Sequence, residues 1–199
     1  MIQDDAPRAR HATLLSAAQF AARKHASQRR KGNSAEPYVN HLIEVARLLT
    51  ELPATFDLNL VVAGFLHDTL EDTNATRTEL VEHFGEDVTS LVEQVTDDKS
   101  LDRAVRKRLQ IQNATLISAR AQNLSTADKI SNLRSTIADP PRGWTLERRR
   151  EYFDWAKAVV DRFTGVDPML KREFESVYSS FGPELDLQPQ SLSAGSARV

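Results

Sequence analysis

The chain contains no cysteine among its 199 residues. That absence removes disulfides, thiolate zinc sites and a cysteine nucleophile together, so a bound metal must rest on His, Asp, Glu or Asn. A charge excess of one sign is missing too: 26 Lys and Arg stand against 28 Asp and Glu. This balance gives no reason to expect nucleic acid or an anionic membrane as a partner. No apolar run approaches the roughly 20 residues that span a bilayer. The N-terminus, Met1-Ile2-Gln3-Asp4-Asp5, is acidic and leads into no apolar stretch, unlike a signal peptide. The expectation is a cytoplasmic protein, with 40% apolar and 27% charged residues, built on one hydrophobic core.

What is present reads as helix. Leu14, Leu15, Ala18, Ala21 and Ala22 recur at helical spacing, and Gln28-Arg29-Arg30-Lys31 then meets the stop signal Gly32. After Pro37 the next helix carries Tyr38, His41, Leu42, Val45, Leu48 and Leu49, and Pro53 ends it. The run from Asp57 to about Glu71 is the most apolar and is expected as one central helix. Thr76 with Glu79 forms a capping-box pattern, and Gly85 closes that helix. Basic Arg103 to Gln110 reads as a solvated helix or loop, and Ala114 to about Ile137 as a long helix. Two more cover about Leu146 to Phe163 and Pro168 to Phe181. No period-2 alternation of useful length and no internal repeat occur. The fold class is all-α, a single compact helical domain over 1–182, with a Ser-, Pro- and Gln-rich flexible tail at 183–199.

The chemistry concentrates in Leu66-His67-Asp68-Thr69-Leu70-Glu71-Asp72-Thr73, at the polar end of the apolar run Leu60-Val61-Val62-Ala63. Unpartnered charges at the end of a buried segment cost several kcal/mol or titrate away, and a divalent metal is the partner that explains imidazole and carboxylates together. On a continuous helix, His67 and Glu71 would share one face, Asp68 and Asp72 the next. His41 and Asp128, each on an apolar helix, complete a mixed N/O ligand set suited to Mn, Fe, Co or Zn. Asn132 lies one turn beyond Asp128. Plain alternatives exist: a half-buried packing histidine at 41, a surface Asp128–Lys129 pair, an acidic solvated turn at Glu71-Asp72. The HD dipeptide alone is weak, and the ordered combination is what carries weight.

These pieces resemble the HD-type hydrolase domain of the RelA/SpoT homologue family, and more narrowly its stand-alone small alarmone hydrolases of the metazoan kind. The matching segments are Phe20-Ala21-Ala22-Arg23-Lys24-His25, Gln28-Arg29-Arg30-Lys31, Pro37-Tyr38-Val39-Asn40-His41, Leu66 through Thr73, Val95-Thr96-Asp97-Asp98-Lys99, Ala127-Asp128-Lys129-Ile130-Ser131-Asn132-Leu133, and Gly143-Trp144 through Trp155. The resemblance implies Mn2+-dependent removal of the 3′-pyrophosphate of (p)ppGpp, giving GDP or GTP and pyrophosphate. It implies His41, His67, Asp68 and Asp128 as metal ligands and Glu71 with Asp72 as the catalytic pair. It places Arg30 and Lys31 near base and phosphates, Arg148 and Tyr152 at the phosphate or ribose end, and Asn132 within reach of the ribose or a ligand.

Two other readings share these residues. A ribose phosphate beside the metal also describes a 2′-phosphatase of NADPH or another HD-type nucleotide phosphohydrolase. A non-catalytic alarmone sensor is the third, and the intact His41, His67, Asp68, Glu71, Asp72 and Asp128 argue against it. His25 and His83 are expected to pack or face solvent, and Trp155, Phe153 and Phe163 to belong to the core. The sequence leaves the oligomeric state open.

Overall fold

The computed structural model describes residues 6–182, so the expected tail at 183–199 lies outside the described residues. Nine helices occur among them: α1 (Ala6–Lys24), α2 (Val39–Glu51), α3 (Leu58–Leu66), α4 (Thr69–Asp72), α5 (Arg77–Val95), α6 (Arg103–Gln112), α7 (Ala119–Ala138), α8 (Leu146–Val160) and α9 (Pro168–Ser180). The described residues hold no strand, only an isolated bridge between Arg29 and Pro37. None of these helices is long and apolar enough to cross a membrane.

The apolar α3 is the hub, and α1, α2, α5 and α7 all pack on it. Leu60, Val61, Val62, Ala63 and Leu66 bury on every side of it, meeting Leu42, Val45 and Leu49 of α2 and Leu124, Ala127 and Ile130 of α7. Gly64 permits the closest crossing, since a Cβ there would stand 3.1 Å from Ala46 Cα of α2. α9 closes the far side of α7 with Leu170 and Phe174.

Two expectations need correction. The stretch from Asp57 to Glu71 is two helices, broken at His67-Asp68, because the Thr69 hydroxyl donates to Leu66 O at 2.6 Å and Asp68 turns to φ −96°, ψ −1°. The long helix expected from Ala114 starts only at Ala119, where the Ser118 hydroxyl caps the Ala121 N–H at 3.2 Å. The basic stretch at 103–110 is a helix, α6, with no buried residue, one of the two forms expected, and its Arg103 lines the outer cleft described below. Gly85 does interrupt its helix as expected, at φ +83°, a conformation costly for other residues.

The segment after α1 is pinned to the end of α7. Asp139 accepts from Asn33 N at 2.8 Å and from Ser34 N and Oγ at 3.0 and 2.5 Å. Gly32 lies directly on this carboxylate, and an added Cβ would stand 2.7 Å from the Asp139 carbonyl oxygen. Gly32→Ala is expected to cost about 1–3 kcal/mol of stability, and an unchanged denaturation midpoint would contradict this packing.

Candidate metal centre and active-site cleft

Two imidazoles meet where α2, α3 and α7 converge. His41 is 3% and His67 4% exposed, with ring centroids 5.2 Å apart. Each ring is locked through Nδ1. His67 Nδ1–H donates to Gly64 O at 2.9 Å, and His41 Nδ1–H donates to Ser131 Oγ at 2.8 Å. The Ser131 hydroxyl passes on to Glu44 at 2.7 Å, and Arg134 braces Glu44 at 2.9 Å. With Nδ1 carrying the hydrogen, both Nε2 lone pairs are left over, and neither makes a hydrogen bond although both are buried.

Both lone pairs point at carboxylates. His41 Nε2 is 3.2 Å from Asp128 Oδ1 and 3.7 Å from Asp68 Oδ2, while His67 Nε2 is 3.1 Å from Asp68 Oδ2 and 3.6 Å from Asp128 Oδ1. Ligand atoms of His41, His67 and Asp128 all lie within 4.8 Å of one another. Two orphaned imidazole nitrogens facing two carboxylates across one small space fit a divalent cation of the N/O-binding kind. The backup of His41 through Ser131 is testable: Ser131→Ala is expected to weaken metal binding about 10–100-fold by calorimetry, and unaltered affinity would remove Ser131 from the site.

The electrostatics agree. Burial drives the His41 pKa down against the pull of Asp128. Burial also opposes the His67 cation, but Asp68 and Asp128 outweigh it and hold that pKa well above its usual value, so these carboxylates draw a cation, proton or metal, to its Nε2. Burial disfavours the charged forms of Asp68 and Asp128, yet the two imidazoles keep both carboxyls well below their ordinary range. The site is thus set to stay anionic.

The structure separates the acidic pair. Glu71 lines the inner cavity of about 170 Å³ with His67, Asp68, Asp128, Lys129, Asn132, Tyr152 and Trp155. Its carboxylate accepts from the Asp97 N–H at 3.2 Å and pairs with Arg106 at 3.3 Å. Burial, with the Asp68, Asp97 and Asp72 charges, pushes its pKa up to about 7 against the Asp97 hydrogen bond. Asp72 faces an outer cleft of about 180 Å³ instead, held by Gln28 and by an ion pair with Lys99.

Asn132 and Tyr152 line both spaces. Arg30 donates to Asn132 Oδ1 at 3.0 Å, and Asn132 Nδ2 donates to Asp128 Oδ1 at 2.6 Å, tying the outer wall to a candidate ligand. Lys31, exposed, lines the outer cleft together with Arg103, Trp144 and Tyr152. Arg148 is also exposed and stands 4.9 Å over Trp144. Among the described residues, none of Arg30, Lys31, Arg103 and Arg148 is paired with a carboxylate, which leaves the outer cleft cationic.

Several neighbours were not singled out by the sequence. Tyr38 donates its hydroxyl to Asp68 at 2.6 Å. Lys129 is buried rather than a surface partner of Asp128, with Nζ on Gln110 and Ser125 and 5.1 Å over the Trp155 ring. Trp155 is a cavity wall, not pure core, whereas Phe153 is core and Phe163 packs against it. His25 is buried and stacks on Tyr38 at 5.2 Å. His83 packs between Phe20 and Phe84 as expected. The one available signal was the polar run Thr96-Asp97-Asp98-Lys99, which ends a helix with groups that reach both acids.

The profile of the HD domain family matches residues 17–151, a span that contains every candidate ligand. The chain belongs to the HD-domain family. Among proteins similar to this HD-domain chain are those named guanosine-3′,5′-bis(diphosphate) 3′-pyrophosphohydrolase MESH1. The Drosophila melanogaster protein is 44% identical over 171 residues, covering 86% of this chain and 96% of its own length. The Homo sapiens protein is 45% identical with the same coverage. A solved structure, described as a metazoan ortholog of SpoT that hydrolyzes ppGpp and plays a role in starvation responses, superposes with a TM-score of 0.82. It is 44% identical and covers 86% of this chain and 96% of its own. This HD-domain chain is therefore RelA/SpoT-related.

Proposed function

We propose that this protein is a cytoplasmic, Mn2+-dependent hydrolase that removes the 3′-pyrophosphate of (p)ppGpp, releasing GDP or GTP and pyrophosphate, and that residues 1–182 form its single hydrolase domain. The observation that carries the reading is the pair of orphaned Nε2 lone pairs facing Asp68 and Asp128 beside a cationic, aromatic-walled cleft. The likeness to proteins named for this reaction supplies the substrate class.

His41, His67, Asp68 and Asp128 hold the cation, and when bound it supplies Lewis acidity, acidifying water and polarising a phosphoryl oxygen. Tyr38 keeps Asp68 turned inward, and the Ser131–Glu44 chain keeps the His41 Nε2 lone pair free. Glu71 is the proton acceptor for the attacking water, because a carboxyl with its pKa near 7 is half ionised at working pH and basic enough to take the proton. Asp72 orients the water or the leaving group from the outer side. Arg30, Lys31 and Arg148 offset the phosphate charges, Tyr152 and Trp144 flank the nucleoside, and Asn132 reaches the ribose.

The sign of the pH dependence follows from Glu71. Its carboxyl is protonated and unable to act as a base below its raised pKa, so kcat is expected to climb with pH up to about 7 and then level. A profile flat between pH 5 and pH 8 would exclude Glu71 as the base. The reaction itself is tested by separating products after incubation with ppGpp. GDP and pyrophosphate in equal amounts are expected, and orthophosphate as the product would overturn the reading. Comparing kcat/KM for ppGpp and NADPH under the same metal conditions measures which phosphorylated ribose the cleft prefers.

A further inference from the structure

His25 sits at the end of α1, outside both cavities, yet it is 3% exposed and makes one short hydrogen bond, Nδ1 to Gln28 Oε1 at 2.5 Å. The polarity of that bond is fixed from the far side. Gln28 Nε2 lies 2.9 Å from Asp72 Oδ2. A carboxylate there can only accept, so the amide nitrogen of Gln28 must face it and the amide oxygen must face His25. His25 Nδ1 therefore carries the hydrogen. Its other nitrogen, Nε2, is buried without a hydrogen-bond partner. A phenyl ring would fill the same space without burying an unpaired nitrogen, so packing alone does not account for an imidazole here.

From this we infer that His25 and Gln28 are positioning residues for Asp72: the imidazole fixes the Gln28 amide, and the amide fixes the Asp72 carboxylate. Lys99 holds the second Asp72 oxygen from the other side. With both oxygens engaged, the carboxylate presents one fixed orientation to the cleft that Arg30, Tyr38, Asn132 and Tyr152 also line. The link spans 44 residues of sequence and joins the loop after α1 to the end of α4. The imidazole has a second contact, its stack on Tyr38, whose hydroxyl binds Asp68. The two arms are separable. Phenylalanine at this position keeps the stack and loses the donor, whereas asparagine keeps a donor at the place of Nδ1 and loses the stack.

The inference rests on the reading of Asp72 as part of the catalytic pair. The experiment measures kcat and KM for ppGpp and Mn2+ affinity in the wild type and in Asp72→Asn, His25→Phe, His25→Asn, Gln28→Leu and the double variant H25F/Q28L. Turnover by the wild type that collapses in Asp72→Asn supports the underlying reading. Absence of either result overturns that reading, and the inference with it. Given both, His25→Phe and Gln28→Leu are each expected to lower kcat about tenfold or more, with KM and Mn2+ affinity nearly unchanged. His25→Asn is expected to recover most of the loss, and the double variant to be no worse than Gln28→Leu alone. Full activity in Gln28→Leu, multiplying losses in the double variant, or activity kept by His25→Phe and lost by His25→Asn would each overturn the inference while leaving the hydrolase reading intact. Should His25→Phe fold poorly, Gln28→Leu, at a half-buried position, decides alone.

Discussion

His67→Ala is expected to abolish turnover and to release the metal. The imidazole supplies one of two buried Nε2 lone pairs, and among the described residues His41 alone offers another imidazole nitrogen to that space. Its removal also leaves Asp68 and Asp128 facing each other with only His41 between them. Two buried carboxylates without a cation repel, and one of them then takes up a proton rather than stay charged. The loss should therefore appear in metal binding before it appears in folding: calorimetry detects no Mn2+ binding, while far-UV circular dichroism stays helical. Tight Mn2+ binding in His67→Ala would show that the metal sits elsewhere.

Glu71→Gln is the second large effect. The substitution preserves shape and still accepts from the Asp97 N–H, but it removes the inner-cavity carboxyl whose pKa is pushed up to about 7. A general base of this kind contributes about 10²–10⁴-fold, and kcat is expected to fall by that amount with metal affinity retained. The same change relieves the repulsion that raises the Glu71 pKa, so stability should not fall. Asp72→Asn tests the other acid of the pair, which lies in the outer cleft with its carboxylate tied to Gln28 and Lys99, and turnover is expected to collapse there as well. A kcat for Glu71→Gln within a few-fold of wild type would move the proton transfer to Asp72.

The candidate ligands were legible in the sequence because they stand as polar residues within or at the end of apolar helical patterns, where burial makes a charge conspicuous. His41, His67 and Asp128 come together at the crossing of α2, α3 and α7, the helices that periodicity located. The break at His67-Asp68 was not legible. Leu60 to Glu71 reads as uninterrupted helix, and only the Thr69 hydroxyl on Leu66 O, together with the packing of both flanks, ends α3 there. That break is what turns Glu71 toward the inner cavity and Asp72 toward the outer cleft. The supporting residues escaped for a different reason. Tyr38 reaches Asp68 across 30 residues and Arg30 reaches Asn132 across 102. Such contacts leave no periodic trace in the chain. The place of Arg103 on the cleft escaped because a cation facing a cleft and one facing water look alike in a basic helix such as α6.

On the proposed function, four residues hold one cation, and that cation is required for pyrophosphate release. Metal-stripped protein titrated with Mn2+ in the presence of ppGpp, with bound metal and released pyrophosphate followed together, tests it most directly. No release is expected without metal, and release should rise in proportion to occupancy of one site per chain. Pyrophosphate released by the metal-free protein, or a filled site with ppGpp left intact, would contradict it.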